Sequence, residues 1–192
     1  MSSQVSTLPR RSLNPRQAET LERIFLAASE ELEAVGHEAL TIRTVASRAQ
    51  VSSATAYTYI ASKDHLFAEL FWRLLAADPG PKLTGRSATT RLQQTSRHLA
   101  ELMSRSPATA AAATKSLLGE DPQVQRLRLR IGAACVERFR AALGQHTNAQ
   151  IVDAVTLAFF GALLHAGMGL FTYSDLGRRL DAVIAVIMEG HA

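Results

Sequence analysis

From Leu40 to Lys63 the chain carries no Asp or Glu, yet it contains Arg43, Arg48 and Lys63. Ser52, Ser53, Thr55, Tyr57, Thr58 and Tyr59 fall close together in the same stretch and add a run of hydroxyls. A surface free of carboxylates can approach a polyanion without like-charge repulsion. Hydroxyl and guanidinium groups reach phosphate oxygens and base edges over short distances. The chemistry these residue types offer is therefore recognition of a nucleic acid, not bond breaking.

Two short helices and a turn must hold those groups. Thr41 is placed to cap the first helix, because its hydroxyl can accept a backbone N–H left unpaired in the opening turn. Ile42, Val45, Ala46 and Ala49 then recur at helical spacing and give a narrow buried face. Gln50-Val51 forms the turn, Val51 is an apolar plug, and Ser52 or Ser53 caps the next helix. That second helix, about Ser53 to Thr58, is too short to persist in water unless it packs on neighbours. Its outer face stays free, which is the geometry of a helix-turn-helix reader in the major groove. Arg43, Thr44, Ser53 and Thr55 are expected at or near base edges. Thr41, Tyr57, Tyr59 and Lys63 are expected on phosphates, with Ser52 and Thr58 completing the DNA-binding set.

The run LTIRTVASRAQVSSATAYTYIASKDHLFAEL resembles the DNA-binding domain of the TetR family of transcriptional regulators. The family pattern is matched by Thr41, Val45-Ala46, Ala49-Gln50-Val51-Ser52, Tyr57-Thr58-Tyr59-Ile60, Ser62-Lys63-Asp64 and Leu66. The match is long and specific, and covers the first third of the chain; the remainder agrees in length and helical character. Three positions depart: Gln50 and Ala54 stand where glycine is usual, and Ile60 where phenylalanine is usual. Gln50 matters most, since a residue with a Cβ tolerates a left-handed backbone poorly. The resemblance implies a dimeric regulator of double-stranded DNA whose last two helices pair with their copies. It also implies a small-molecule pocket between the middle helices, for which Trp72, His98, Met103, Cys135, Phe139, His165 and Met168 are candidates.

The totals agree with a globular DNA-binding protein. The chain has 192 residues, 47% hydrophobic and 20% charged, with a formal net charge of +4. That charge permits nucleic-acid binding without arguing for it; its distribution matters more. A single cysteine, Cys135, rules out an internal disulfide framework and suits a reducing cytoplasm. The six histidines form neither a His-Glu-x-x-His pair nor a His/Cys cluster with ligand spacing. No Gly-rich phosphate loop and no Gly-x-Ser-x-Gly occurs, and Cys135 falls on a predicted buried face. No catalysis, cofactor or metal is expected.

In chain order, residues 1–15 lack helical apolar spacing and read as a disordered arm. Arg10, Arg11 and Arg16, with no acid between them, could instead touch DNA. A helix from Pro15 or Arg16 to Val35 buries Leu21, Ile24, Phe25, Ala28, Leu32 and Val35, and turns Glu19, Glu22, Glu30, Glu31 and Glu33 to its other faces. Gly36 stops it. Ser62 caps a helix carrying Leu66, Phe67, Leu70, Phe71, Leu74 and Leu75, the candidate lever between the reader and the rest. Asp78-Pro-Gly-Pro-Lys-Leu-Thr-Gly85 is a linker by composition. The spacing predicts further helices over about 89–104, from Pro107 to Gly119, and from Asp121-Pro122 to Leu143. Arg126, Arg128, Arg130, Arg138 and Arg140 on the last of these read as a solvated face.

Thr147-x-x-Gln150 reads as a capping box opening a nearly all-apolar helix. Its Asp153, His165 and small residues, without basic flanks, argue for a buried helix over a membrane span. Ser174 or Asp175 opens the last helix. Excess apolar surface on these two helices implies a homodimer interface.

The expected fold class is all-α, about nine helices: an arm (1–15), a helix-turn-helix domain (16–62), a connecting helix (63–77) and a regulatory and dimerisation domain (78–192). The expected function is a cytoplasmic one-component regulator, a repressor, that binds a palindromic operator as a dimer and is released by a small apolar effector. The alternatives are a constitutive or activating DNA-binder without a ligand, and a helical protein-interaction module.

Overall fold

Polar side chains at fixed points divide the chain into helices, nine of them among the described residues, 14–146 and 148–190 of a computed structural model. They are α1 (Pro15–Ala39), α2 (Ile42–Arg48), α3 (Ser53–Tyr59), α4 (Lys63–Ala77), α5 (Ala88–Arg105), α6 (Pro107–Leu117), α7 (Pro122–Leu143), α8 (Ala149–Gly167) and α9 (Tyr173–Glu189). The fold is all-α. Asn14, Thr41, Ser52, Ser62, Ser87, Asp121, Asn148 and Thr172 each accept a backbone N–H in the first turn of the helix that follows them. Each satisfies a donor that no intrahelical carbonyl can reach. α6 has no such cap, but begins on Pro107, whose missing N–H costs little there.

Several local expectations need correction. Residues 1–13, with Arg10 and Arg11, and Thr147 lie outside the described residues; Arg16 is exposed in the first turn of α1. α8 starts on Asn148, whose side chain accepts from Gln150 N–H. α9 opens before Ser174, because Thr172 and Asp175 form a reciprocal capping box. α1 leaves helical geometry at Gly36 (φ 74°), as its composition demands, and resumes for one short turn to Ala39.

Burial falls into two clusters. The first joins Ile24, Phe25 and Leu32 of α1 to Val45 of α2, Ala56 of α3, Ile60, and Leu66, Phe67 and Leu70 of α4. The second joins Phe71 and Leu75 of α4 to Leu92, Leu99, Met103, Ile131, Phe139, Val155, Phe159, Leu176 and Ile184 of α5 and α7 to α9. Phe139 meets Phe159 edge to face, with centroids 5.6 Å apart. α4 thus lends residues to both clusters. α6 does so too, since Ala112 is fully buried in the first while Ala110 and Ala113 are buried in the second. α8 is long and apolar enough to cross a bilayer by length and composition, yet it packs against α6, α7 and α9.

Polar links cross between the clusters. Ser62 Oγ donates to Asp121 Oδ2, so the caps of α4 and α7 meet, and Ser116 Oγ donates to Asp64 Oδ1 at 2.8 Å. Lys115 Nζ lies 2.7 Å from His37 Nε2. The far end of α4 is held more firmly. Asp78, in what composition marks as a linker, accepts from His98 Nε2 at 2.8 Å and from Arg138 Nη1 at 2.7 Å. Arg138 Nη2 also donates to the Leu75 and Asp78 carbonyls, which closes the C-terminus of α4. Arg138 is therefore not part of a solvated face: its side chain is only 17% exposed, because it supplies the charge that Asp78 needs. Burial alone would raise the Asp78 carboxyl, but the hydrogen bonds from His98 and Arg138 outweigh it and hold the group below its ordinary value.

Between α2 and α3 the turn bends at Gln50, with φ 55°, the one non-glycine at positive φ among the described residues. Val51 N–H bonds to the Ala46 carbonyl and Gln50 N–H to the Ser47 carbonyl, so the turn keeps its hydrogen bonds despite the side chain.

Replacing Gln50 with glycine removes the left-handed penalty but adds chain entropy to the unfolded state. A net gain of about 0.5 kcal/mol is expected, read as a higher urea midpoint. Asp78→Ala strands a nearly buried guanidinium and should cost about 3 kcal/mol in urea unfolding, against about 0.5 kcal/mol or less for Glu137→Ala at the exposed pair with Arg140. Because the Asp78 carboxyl is depressed, its contribution is complete above the unfolded-state value and disappears as pH falls through the folded-state one. The acid loss should accordingly be shallower in Asp78→Ala.

Candidate nucleic-acid interface

A seven-residue helix has no independent stability, so the position of α3 is set by what it packs on. Ala56 and Ile60 are fully buried and anchor it in the first core, with α2 as its main neighbour, while Val51 is a half-buried plug in the turn. α2 is braced on the other side. Arg48 Nε donates to Glu31 Oε2 at 2.8 Å, and its Nη1 lies 3.6 Å from Glu30. Glu31 therefore departs from the solvated position that its spacing suggests: it is drawn against the core by Arg48, whose hydrogen bond holds the carboxyl below its ordinary value. Glu30 and Glu31 of α1 are thereby paired with a cation that does not line the reading surface.

That surface is a concavity of about 680 Å³ between α2 and α3. Thr41, Arg43, Thr44, Ser52, Ser53 and Tyr57, all anticipated from the sequence, line it together with Val51. Ser47 also lines it and was missed. The signal was available, since Ser47 lies three and four residues after Thr44 and Arg43 and so shares their helix face.

Hydrogen bonding sorts these groups. Thr41 and Thr44 cap one another reciprocally, and Ser52 caps α3 while its hydroxyl is hydrogen-bonded to that of Thr55 at 2.8 Å. Thr58 donates to the Ala54 carbonyl within α3. Arg43 is exposed with no carboxylate partner among the described residues, and Tyr57 is exposed as well. Tyr59 is half-buried against the first cluster, which leaves its edge on the surface. Lys63 lies at the start of α4, but its ammonium donates to the Glu38 carbonyl at 2.9 Å and sits 5.8 Å from the Phe67 ring centroid. The concavity takes in six of the ten expected residues and leaves Thr55, Thr58, Tyr59 and Lys63 outside its lining.

The seven candidate pocket residues do not converge on one cavity. Met103, Cys135 and Phe139 are packed in the second core, where burial pushes the Cys135 thiol up to about 12. Trp72 lies under the Arg130 guanidinium at 4.3 Å, and His98 bonds Asp78. His165 is exposed and stacks edge to face on Phe171, and Met168 is also exposed. An apolar cleft of about 530 Å³ opens elsewhere, between α6, α7 and α8, and none of the seven lines it.

Known proteins share both the sequence pattern and the fold. The family described as bacterial regulatory proteins, tetR family, matches residues 24–70, from the middle of α1 to the middle of α4. An uncharacterized HTH-type transcriptional regulator of Mycobacterium tuberculosis, Rv0767c, is 40% identical over 181 residues, spanning 93% of this chain and 85% of that protein. The HTH-type transcriptional repressor KstR of Rhodococcus jostii is 27% identical over 183 residues, spanning 90% and 84%. Among solved structures, a TetR transcriptional regulator from Rhodococcus superposes with a TM-score of 0.72 at 20% identity, covering 90% of this chain and 96% of that one. Thermus thermophilus FadR, a TetR-family repressor solved with lauroyl-CoA, gives 0.67 at 22% identity, covering 89% and 94%. The helix-turn-helix built by α2 and α3, its capping residues and these likenesses lead to one conclusion: the chain belongs to the TetR family of DNA-binding transcriptional regulators.

Proposed function

We propose that this regulator is a repressor that binds a palindromic operator as a homodimer and releases it when a small molecule occupies the C-terminal region. The carboxylate-free concavity between α2 and α3 carries the reading. In this reading Arg43, Thr44 and Ser53 on the concavity, with Thr55 outside its lining, approach base edges, while Thr41, Ser52 and Tyr57 on it, with Thr58, Tyr59 and Lys63 outside its lining, position the phosphates. Lys63 exchanges the Glu38 carbonyl for a phosphate oxygen on binding, an exchange favoured by the stronger charge-assisted bond. The name of the KstR relative supports the repressor sign. Residues 16–62 serve as the reader, 63–77 as the connecting helix, and 78–192 as the regulatory and dimerisation part.

Dimerisation is supported by the outward faces of α8 and α9, where Leu157 is 74% and Val186 69% exposed. One reader of this size touches few base pairs; two on a twofold axis read both halves of a palindrome with the advantage of linkage. Affinity then depends on the spacing of the two readers, which a ligand can alter without touching DNA. α4 and α6, shared between the two cores, are the elements through which such a change passes.

Operator affinity measured by fluorescence anisotropy against salt tests the reading. Lys63→Ala should weaken binding to every sequence alike and flatten the log–log salt slope by about one unit. Arg43→Ala should lose about 1–3 kcal/mol of discrimination at particular base pairs. A wild-type protein that ignores duplexes in dilute salt defeats the proposal.

A further inference from the structure

The joint between α3 and α4 is three residues long, and one imidazole fastens it. α3 ends at Tyr59 and α4 begins at Lys63, so Ile60, Ala61 and Ser62 carry the connection. Ile60 is fully buried, and Ser62 caps α4 by accepting from the His65 N–H at 2.9 Å. Ala61 between them is exposed, and its N–H donates to His65 Nδ1 at 3.1 Å. A backbone N–H can only donate, so Nδ1 must present its lone pair and the ring proton must sit on Nε2. The joint is therefore closed by the neutral imidazole. A second proton, on Nδ1, turns that acceptor into a donor and sets it against the Ala61 N–H.

Charged groups face His65 from two helices. Glu69 of α4 and Gln123, Arg126 and Arg130 of α7 line the same cleft, of about 430 Å³. Asp121, the cap of α7, is the other carboxylate close enough to act on the ring. α3 carries no charged residue, and Asp64 and Lys115 are engaged with Ser116 and His37. Burial holds the imidazole below its ordinary value and Arg126 adds to that, whereas Glu69 and Asp121 pull the other way. Both carboxylates have other partners. Glu69 lies 3.6 Å from Arg73 Nε, and Asp121 accepts from the Ser62 hydroxyl and the Gln123 N–H. The folded chain therefore favours the uncharged ring.

We propose that His65 is a positioning residue for the DNA reader and makes it proton-sensitive: the neutral ring fixes Ala61, and with it the end of α3, while the protonated ring releases the joint and weakens duplex binding. The proposal rests on the regulator reading and adds a regulatory input to it. α3 has seven residues and no stability of its own, so its angle to α4 depends on how its two ends are held. Ser52 caps one end; at the other the chain passes through Ile60 to the Ala61 bond. A group whose folded-state value is depressed contributes stability above its unfolded-state value, and that contribution disappears as pH falls through the folded-state one. Duplex affinity should therefore fall on acidification, opposite to the gain that an added positive charge beside DNA produces.

Two measurements on the full-length protein, from about pH 7.5 to about pH 5 at constant ionic strength, test the proposal. One is the protection of the Ala61 amide against hydrogen exchange. The other is fluorescence anisotropy with a duplex that the wild-type protein selects from a random pool. His65→Asn is the informative variant, because its Oδ1 can replace Nδ1 as the acceptor and does not titrate. In the wild type, Ala61 protection and duplex affinity should each fall at least about three-fold through the imidazole range. In His65→Asn both should stay level. A His65→Asn protein that lacks Ala61 protection at every pH should bind as weakly throughout as the acidified wild type; tight binding without that protection overturns the proposal. So do level Ala61 protection in the wild type, tighter duplex binding on acidification, or an equal acid loss in His65→Asn. His65→Leu, which keeps bulk and lacks the acceptor, should bind near neutrality as the acidified wild type does; if it loosens the fold, His65→Asn decides alone. Selection of no duplex defeats the regulator reading, and Ala61 exchange then decides on the joint by itself.

Discussion

The reading surface depends on burying Ala56 and Ile60. α3 has seven residues, far short of what an isolated helix needs in water, and Ala56 is its one fully buried residue. Everything outward-facing on it is therefore positioned by contacts made elsewhere: Ala56 and Ile60 inside the first core, Val51 in the turn, and Ser52 at the cap. This leaves the outer face free to carry hydroxyls, of which Thr55 and Thr58 bond only locally, to the Ser52 hydroxyl and the Ala54 carbonyl. The Arg48–Glu31 brace has the same logic on α2, since it pairs acids of α1 with a cation that does not line the concavity.

The two cores are not independent bodies joined by a flexible tether. α4 buries Leu66, Phe67 and Leu70 in one and Phe71 and Leu75 in the other. Its beginning is tied by Ser62 and Asp64 to α7 and α6, and its end by Asp78 to α5 and α7. A rigid rod fixed at both ends can transmit a displacement, and its fixings are polar bonds that can be exchanged with less loss than packed side chains. The stiffest of them is the Asp78 station, where a buried carboxylate is compensated by two donors from different helices.

Much of this was legible in the chain. Helix starts were written in Thr41, Ser62 and Asp121, and the turn in Gln50-Val51, because capping and turn chemistry are local. Lateral placement was not. Glu31 and Arg138 carry the pattern of exposed charges, and only a distant partner draws each inward, Arg48 across 17 residues and Asp78 across 60. Thr172 was overlooked as a cap because Ser174 and Asp175 follow it and qualify equally by type. The candidate pocket residues illustrate a further limit. Met103, Cys135 and Phe139 fill a solid core, and composition alone does not separate a core from the wall of a cavity.

Ala112 has a wider implication. It belongs to α6, more than thirty residues beyond the end of α4, yet it is fully buried among the side chains of α1 to α4. The interior of the DNA-reading head is therefore completed by a methyl group from the body. A chimera that grafts this head onto a different body inherits an unfilled notch, or a collision, unless the recipient presents an equally small residue at the same spot. Heads and bodies of such regulators are interchangeable only as far as their necks match in shape.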